Sequence, residues 1–538
     1  MKFLRSPAAC LAGILLVAAA WKLVFIFWDV VPFNSDEAIV ALMARHIAAG
    51  ARPVFFYGQA YMGSLDAYLV AAGFALFGEA VWVIRLVQSL LYLGVILTTY
   101  FIGKLAFNAP TTGLLAAALL AIPSVNMMLY TTASLGGYGE ALLIGNLLLL
   151  SAYWIVLRAL PNLSRQLWPA LVGWGLLAGC GLWANGLSLV YSLPTGFYIV
   201  WAAWQTGRGP QLARILPFMA AGVLVGALPW WLYALTVGPS RLLLELFGSA
   251  VAVETTPWLV RTATHLVNFL LLGTSAIFSF RPPWGVTWLA LPLLPFVLLF
   301  WLAVGVYFVR RLRRGEPRRA ANALLAGVGG VLLAGFLFTS FGVDPSGRYF
   351  LPLAVPLALA AAQRLKTIPR QPWLMAGLMA LVVGYHLIGT VQSALRFPPG
   401  LTTQFYEPTI IDHRADLELI DFLEQVGETR GYSNYWVSYP LAFLSQERLI
   451  FIPRLPYHLD LRYTARDDRY LPYRALVAAS ERVAYITTRN PALDDYLRAQ
   501  FRALGASWEE QQISDFRVYY HLSRPVRPDE LRFNEEQE

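Results

Sequence analysis

The sequence predicts a polytopic α-helical membrane protein that carries a C-terminal extracytoplasmic α/β domain. Of its 538 residues, 57% are hydrophobic and only 14% are charged, whereas soluble domains carry about 25% charged residues. About eleven apolar segments are long enough to cross a bilayer. After Arg396, charged residues become frequent and helical patterns alternate with strand patterns, as in a small α/β domain. We therefore predict a membrane domain over residues 1–395 and an α/β domain over residues 396–538.

Most of the predicted spans are apolar runs of about twenty residues. The first follows Lys2 and Arg5, and it could be a signal peptide because Ala18–Ala20 is small. Its apolar character continues to Phe33, which favours an uncleaved span. The predicted spans are Ala8–Trp28, Trp82–Phe107, Thr112–Tyr130, Ala141–Leu157, Trp168–Trp183, Leu187–Trp204, Leu212–Leu235, Trp284–Val309, Ala320–Phe341, Tyr349–Ala362 and Trp373–Gln392.

Positive charge predicts the orientation of these spans. Arginines and lysines cluster in alternate short loops, and such loops face the cytoplasm. These residues are Arg158, Arg165, Arg208, those in the run from Arg310 to Arg319, Arg364, Lys366 and Arg370. The N-terminus is then cytoplasmic, and an odd number of spans puts the C-terminal domain outside. Because topology accounts for the formal charge of +9, no nucleic-acid partner is predicted.

The first outer loop, residues 34–79, begins with two adjacent acids, Asp36 and Glu37. Asn34 or Ser35 can cap a helix that runs from about Asp36 to Ala49. Acids at this depth are costly unless function retains them. The alternative is that both acids merely complement the dipole of the helix.

Two further acids lie in the predicted outer loops. Ser64 can cap a second short helix that carries Asp66 and ends near Gly78. Glu140 closes the loop T-T-A-S-L-G-G-Y-G-E immediately before a span, at the predicted level of Asp36. The alternative for Glu140 is an ordinary interfacial polar residue.

The loop G-V-D-P-S-G-R-Y-F-L-P, residues 342–352, puts an arginine at the outer mouth of a span. The guanidinium of Arg348 can bind a phosphate in a bidentate manner. One alternative is a local pair with Asp344, four residues earlier. Another is that the side chain extends to the lipid headgroups.

Several common site types have no sequence support. Cys10 and Cys180 fall inside predicted spans, so no disulfide framework is expected. The six histidines form no zinc-binding motif. The C-terminal region contains no P-loop, dinucleotide-binding or G-x-S-x-G motif, and its aromatic segment from Gly431 to Pro440 is predicted to be a core strand with polar edges rather than a sugar-facing surface.

Four features together resemble the GT-C superfamily of membrane glycosyltransferases. They are the Asp36-Glu37 pair after the first span, two interfacial helices in the first outer loop, the R-Y-F-L-P stretch at Arg348–Pro352 and an outward C-terminal α/β domain. Within that superfamily the chain is most similar to family 39, which includes protein O-mannosyltransferases and lipid A aminoarabinose transferases.

The resemblance implies a chemistry and a set of site residues. The donor would be a sugar linked through phosphate to a polyprenol, and direct displacement at the anomeric carbon would invert its configuration. Asp36 would be the general base or would orient the acceptor, supported by Glu37. Arg348 would neutralise the phosphate leaving group. The expected substrate-binding residues are Tyr57, Asp66, Glu140, Arg348 and Tyr349.

The chain departs from the family at one point, because Y-M-G-S-L-D-A-Y stands where many members carry a Lys-Pro-Pro stretch. The acceptor therefore stays open among lipid, glycan and protein, and no cofactor is predicted, although a divalent metal stays open. Two rival functions are a transporter or flippase of lipid-linked sugars and a noncatalytic sugar-binding scaffold. Neither internal repeats nor mid-membrane charges, which are typical of transporters, are evident.

Overall fold

The computed structural model describes residues 6–161, 163–205, 209–249, 256–313, 319–368, 371–396, 400–531 and 533–535. The chain divides into two compact units. The first unit comprises Met1–Asp29, Tyr61–Asp66 and Ile84–Arg396, and the second comprises Val30–Ala60, Ala67–Val83 and Phe397–Glu538. Both segments of the second unit that precede Ile84 belong to the predicted first outer loop or its flanks.

The first unit is helical, as its long apolar sequence requires. Its α-helices are Pro7–Phe27, Val81–Phe107, Pro110–Ala121, Val125–Tyr130, Tyr138–Trp154, Leu167–Ala184, Leu189–Gln205, Gly209–Gly226, Leu228–Val237, Pro239–Leu246, Trp258–Asn268, Thr274–Ile277, Leu294–Arg313, Arg319–Phe338, Ala354–Lys366 and Pro372–Arg396. Shorter π or 3-10 turns are Ile155–Ala159, Gly186–Ser188, Phe269–Gly273, Ser340–Val343 and Arg348–Leu353.

Among the described residues, eight helices are long and apolar enough to cross a membrane. A ninth span results if the pair Ala213–Gly226 and Leu228–Val237, bent by 66°, is counted as one. The chain is therefore a multi-pass membrane protein, although the predicted count of eleven is too high by this criterion. The two remaining predicted spans, Thr112–Tyr130 and Tyr349–Ala362, are not single long helices.

Proline explains both discrepancies. The segment Thr112–Tyr130 breaks at Pro123, because a proline pushes the preceding residue, here Ile122, out of the helical region. Ser124 then caps a new short helix by accepting a hydrogen bond from the Met127 amide. Pro352 similarly lies in a 3-10 turn that precedes Ala354–Lys366.

The second unit combines two first-loop helices with an α/β fold. The helix Ser35–Ala48 and all but the first two residues of the helix Leu65–Phe77 belong to it, and these helices match the two predicted for the first outer loop. Two short paired strands, Phe55–Phe56 and Gln59–Gly63, lie between them in sequence. The later α-helices are Asp416–Gln425, Tyr435–Leu444, Pro472–Ala478, Pro491–Ala503 and Pro528–Leu531. Short 3-10 turns are Glu407–Thr409, His413–Ala415 and Ala465–Asp467.

A mixed five-stranded sheet organises the C-terminal part. Its strands in spatial order are Ile450–Pro453, Arg430–Ser433, Ala484–Thr488, Phe516–Tyr520 and Glu509–Ile513. The first three pair in parallel and the last two join in antiparallel fashion. Buried residues of the sheet and of two flanking helices form one hydrophobic core, including Leu419, Leu441, Phe451, Ile486 and Phe516. A separate parallel pair joins Arg462–Tyr463 to Asn534–Glu535.

The fold class predicted from sequence is confirmed, with one local error in the C-terminal region. The segment Gly431–Pro440, predicted as a strand, is a strand only to Ser433. Asn434 then caps the helix Tyr435–Leu444 by accepting a hydrogen bond from the Trp436 amide. This turn from strand to helix determines where the Tyr435 side chain lies.

Candidate functional site

The N-terminus of the helix Ser35–Ala48, here called the first-loop helix, holds the predicted catalytic acids. The Asn34 side chain caps it by accepting a hydrogen bond from the Glu37 amide at 3.1 Å. Asp36 and Glu37 both lie in the first turn, so they also complement the helix dipole. Glu37 is fully buried, whereas Asp36 is half-buried. Only Asp36 is therefore exposed enough to meet a substrate.

Asp36 is held by a tyrosine of the same unit that lies far away in sequence. The Tyr435 hydroxyl donates a hydrogen bond to Asp36 Oδ1 at 2.6 Å. The Ser35 hydroxyl in turn donates to the Tyr435 carbonyl. Burial and the nearby Asp36 carboxylate raise the pKa of the Tyr435 hydroxyl, so that it stays a proton donor. Asp36 makes no salt bridge with any residue that the structure describes.

Arg469 is a second unpredicted residue beside Asp36. Its guanidinium carbon lies 5.5 Å from the centre of the Tyr435 ring, in a cation–π contact, and its charge interacts with Asp36. With the Gln59 amide oriented so that its oxygen accepts, two arginine nitrogens donate to that oxygen at 2.9 and 3.0 Å. The buried Nε of Arg469 has no hydrogen-bond partner among the described residues.

Tyr57, predicted to bind substrate, belongs to a polar cluster at the other end of the first-loop helix. Its hydroxyl lies 3.0 Å from His46 Nδ1, and its ring stacks on Tyr470 at 4.8 Å. His46 Nε2 lies 3.1 Å from a Glu447 oxygen, which also accepts a hydrogen bond from Tyr473. The Tyr57 hydroxyl is thus already engaged by a protein group.

In the first unit, the structure brings together two of the predicted acids, Asp66 and Glu140, here called the acid pair. Asp66 is fully buried and accepts three hydrogen bonds. Gln88 Nε2 donates to Oδ1 at 2.8 Å, while the Ser134 hydroxyl and the Gly137 amide, the latter at 3.2 Å, donate to Oδ2. Burial raises the pKa of the Asp66 carboxyl, and these donors oppose that shift.

The Glu140 carboxyl group is hydrogen-bonded far less completely than that of Asp66. Both of its carboxyl oxygens are buried, and neither makes a hydrogen bond of good geometry with a described residue, although Asp66 and Gln88 lie close to them. Its charge interacts with Asp66. A buried polar group without a well-formed hydrogen bond costs free energy, so its retention needs an explanation beyond packing.

Two glycines with positive φ form the turns beside the acid pair and beside Arg348. Gly137 has a φ of +89°, which lets its amide point at Asp66. Gly347 has a φ of +84°, and a Cβ there would lie 2.3 Å from the Ala276 side chain. The Gly347 carbonyl accepts a hydrogen bond from Asn126 at 3.3 Å. Both turns therefore require glycine.

Arg348 makes the local pair that the sequence offered as an alternative. Its Nη2 lies 2.6 Å from Asp344 Oδ2, while Asp344 Oδ1 accepts a hydrogen bond from the Ser346 amide. The buried Nε of Arg348 has no hydrogen-bond partner among the described residues. The guanidinium is therefore oriented by Asp344, and because the Arg348 side chain stays 26% exposed, it can meet a phosphate oxygen.

The Tyr349 ring lies directly against Arg348. The guanidinium carbon of Arg348 is 5.1 Å from the centre of the Tyr349 ring. The Tyr349 hydroxyl is buried and lacks a hydrogen-bond partner within the described ranges. Arg348 also interacts electrostatically with Tyr138, two residues before Glu140.

Two buried cations that sequence reasoning missed support this region of the first unit. Lys22 Nζ donates to the Thr131 carbonyl at 2.7 Å and to the Thr132 hydroxyl at 2.8 Å. Arg281 donates to several backbone carbonyls, among them that of Pro345, beside Asp344. A polar residue in an apolar run was the available signal, because such a residue is costly without a partner.

Comparisons with known sequences agree with the membrane architecture. A family model described as dolichyl-phosphate-mannose-protein mannosyltransferase matches residues 64–233. Undecaprenyl phosphate-alpha-4-amino-4-deoxy-L-arabinose arabinosyl transferase 2 of Pseudomonas fluorescens is 27% identical over 342 residues, which are 62% of this chain and 55% of that protein. The match thus spans about half the length of that relative.

Solved structures extend the likeness over nearly the whole chain. ArnT from Cupriavidus metallidurans, bound to undecaprenyl phosphate, matches with a TM-score of 0.57 at 14% identity, over 94% of this chain and 98% of that one. The chain therefore shares the fold of this ArnT structure. The archaeal oligosaccharyltransferase AglB from Archaeoglobus fulgidus, in complex with an inhibitory peptide and a dolichol-phosphate, matches with a TM-score of 0.52 at 14% identity, over 90% and 69% of the two chains.

The predicted GT-C site residues fall into groups within the two units. Asp36, Glu37 and Tyr57 lie in the second unit, and Asp66, Glu140, Arg348 and Tyr349 lie in the first. The residues that sequence reasoning missed, Tyr435 and Arg469, are separated from Asp36 by about 400 positions, and no local pattern links them. No cluster of three or more metal-ligating side chains occurs in the described ranges of the chain.

Proposed function

We propose that this protein is a GT-C glycosyltransferase that transfers a sugar from a polyprenyl-phosphate-linked donor to an acceptor at the outer face of the membrane. The observation that carries the proposal is the environment of Asp36. Its carboxylate is half-buried, accepts one hydrogen bond from a neutral hydroxyl and makes no salt bridge among the described residues. A carboxylate in this state can accept a proton from an acceptor hydroxyl.

The proposed reaction is a single displacement at the anomeric carbon. The acceptor oxygen forms a bond to that carbon while its proton passes to Asp36. The bond between the anomeric carbon and the phosphate oxygen breaks, and polyprenyl phosphate leaves with the bonding electrons. Attack opposite the leaving group inverts the configuration. Because Glu37 is fully buried, its proposed role is to position the first turn of the helix rather than to contact substrate.

The leaving phosphate requires a cation, and Arg348 is the proposed one. Asp344 fixes its guanidinium, and its Nε donor is unused among the described residues. A preoriented donor stabilises charge that develops in the transition state without reorganising at that moment. Because the Tyr349 hydroxyl and both Glu140 oxygens are buried, their proposed role, like that of Glu37, is to position the groups that contact the substrate. Asp66 is proposed to act indirectly, by interacting with Glu140.

Similarity to known proteins supports the proposed class of donor. The related arabinosyl transferase is named for undecaprenyl phosphate, and the structures of ArnT and AglB contain undecaprenyl phosphate and a dolichol-phosphate. The acceptor stays open among lipid, glycan and protein. The arginine-rich loops support an orientation with the N-terminus in the cytoplasm and the C-terminal domain outside.

The direct test incubates the purified protein with a panel of polyprenyl-phosphate sugars and measures released polyprenyl phosphate. We expect release with at least one donor, and faster release when the correct acceptor is present. Folded protein that releases none from any donor, but moves a labelled donor across vesicle membranes, would instead be a flippase. A reporter fused after Glu538 should be active only outside the cytoplasm, and cytoplasmic activity would overturn the proposed orientation.

A further inference from the structure

The first unit contains a groove that the proposed reaction does not use. It lies between the end of the helix Val81–Phe107, the turn Ile155–Ala159 with the helix before it, and the middle of the helix Leu167–Ala184. Its volume is about 540 Å³, within the range of ligand sites, which is about 300–1,000 Å³. Six apolar side chains line it, among them Phe101, Leu150 and Trp154. We call it the basic groove, for the reason that follows.

Two cations lie at this groove, one on each of two helices. Lys104 and Arg158 both line it, and both are exposed. Neither forms a salt bridge with a carboxylate among the residues that the structure describes. Arg158 projects from Ile155–Ala159, which is a π-helical turn. Such turns insert one residue into an α-helix, and they occur frequently at functional sites.

The basic groove lies far from the proposed transfer residues of the same unit. Glu140 and Arg158 occupy opposite ends of one membrane-spanning helical segment, Tyr138–Ala159. Eighteen residues at 1.5 Å per residue separate them by about 27 Å along the axis. That distance approaches the thickness of the hydrocarbon core, about 30 Å. A lipid held at Arg158 therefore has its headgroup at the membrane face opposite to Glu140.

We propose that the basic groove binds a phospholipid with an anionic headgroup. Its phosphate would lie between Lys104 and Arg158, and an acyl chain would lie against Phe101, Leu150 and Trp154. Charge complementarity selects the anionic class, because two unpaired cations attract negative headgroups at a membrane surface. The apolar lining selects a lipid over a free anion, which would gain nothing from it. This inference does not rest on the proposed transfer reaction.

Quenching of tryptophan fluorescence tests the proposal directly. The full-length protein is placed in nanodiscs that contain chain-brominated phosphatidylglycerol or chain-brominated phosphatidylcholine, and Trp154→Phe identifies the share of quenching that belongs to Trp154. We expect brominated phosphatidylglycerol to quench Trp154 at a lower lipid fraction than brominated phosphatidylcholine does. In the double variant Lys104→Gln with Arg158→Gln, that preference should fall by about fivefold for each cation removed.

A matched double variant, Arg310→Gln with Lys366→Gln, removes the same two charges outside the groove and should keep the preference. Ser151→Phe fills the groove without adding a fluorophore and should abolish the Trp154 quenching by both lipids. Equal quenching of Trp154 by the two lipids in the parent protein would overturn the proposal, as would an unchanged preference in the folded Lys104/Arg158 variant. Displacement by inorganic phosphate alone, or stronger competition by polyprenyl phosphate than by unbrominated phosphatidylglycerol, would also overturn it.

Discussion

Two aspartates of the predicted first outer loop show how the same side chain is held in opposite ways. Asp36, in the second unit, is half-buried and accepts one hydrogen bond, from Tyr435. Asp66, in the first unit, is fully buried and accepts hydrogen bonds from Gln88, Ser134 and Gly137. Both lie in the first turn of a short helix, so the helix dipole does not distinguish them.

The difference separates the proposed base, Asp36, from an aspartate that the protein itself holds in place. A fully buried carboxylate that already accepts three hydrogen bonds from the protein has little capacity left to accept one from a substrate hydroxyl. A half-buried carboxylate with one neutral donor keeps that capacity. The environment, rather than the residue type, assigns the two roles. Glu140 adds a third case, because it is buried like Asp66 but makes no hydrogen bond of good geometry with a described residue.

The largest predicted effect belongs to Asp36→Asn. The change keeps the shape of the side chain and its hydrogen bond with Tyr435, but it removes the proposed base. Transfer should fall by about a hundredfold to ten-thousandfold, while the thermal unfolding temperature changes little. Single-turnover transfer and thermal unfolding are measured on the same preparation.

The matched control for Asp36→Asn is Glu418→Gln, which removes an exposed first-turn acid from the helix Asp416–Gln425. If Asp36 serves only the helix dipole, the two variants should behave alike, with a small loss of stability and near-normal turnover. In that case Glu37, Asp66 or Glu140 would have to be the reactive acid.

The sequence predicted Asp36 and its helix because the signals are local. An Asn cap, two first-turn acids and the apolar spacing of Ser35–Ala48 all lie within about fifteen residues. Tyr435 and Arg469 could not be predicted, because they reach Asp36 only through the packing of the second unit. The extra predicted spans were errors of a different kind, since Pro123 and Pro352 were visible signals of helix ends.

Arg348→Lys comes next in size and tests the first unit. Lysine keeps the charge but loses the planar guanidinium, and with it the Nε donor that has no partner among the described residues. We expect the donor concentration for half-maximal transfer to rise by roughly tenfold or more, because hydrogen bonds to charged groups contribute about 1.5–3 kcal/mol. Donor titrations measure this shift.

Arg241→Lys is the matched control for Arg348→Lys, because Arg241 also pairs with an acid four residues away, Glu245, but is largely exposed. It should leave the donor dependence unchanged. If both Arg348→Lys and Arg348→Ala keep the parental donor dependence, the pair with Asp344 is only structural, and another cation must meet the phosphate.

Replacing each acid of the acid pair by its neutral amide should have different effects on stability and on transfer. In Asp66→Asn, an NH2 group replaces an oxygen that faces donors, so the variant should lose about 1–3 kcal/mol of stability. In Glu140→Gln, no described hydrogen bond is lost, so stability should be kept while transfer falls. Thermal unfolding in detergent compares the two variants. Equal destabilisation by both would mean that Glu140 is as structural as Asp66.

The last predicted effect concerns stability rather than transfer, and it depends on the protonation of Asp467. Burial, opposed by Arg469 and Arg466, raises the pKa of Asp467 from 3.8 to about 6, and the charge of Asp36 adds to the rise. The folded protein then binds a proton more tightly than the unfolded chain does, so this group makes stability fall as pH rises from about 4 to about 6. Asp467→Asn removes that penalty. At pH 7.5 the variant should be more stable than the parent by up to about 2–3 kcal/mol, and the gain should vanish near pH 4.

The control is the exposed Asp421→Asn, which should show no such gain. In an Asp36→Asn background the gain at pH 7.5 should shrink, because the neighbouring charge is gone. An unchanged gain would mean that Asp36 and Asp467 do not interact, and the electrostatic contrast between Asp36 and Asp66 would then rest on Tyr435 and Arg469 alone.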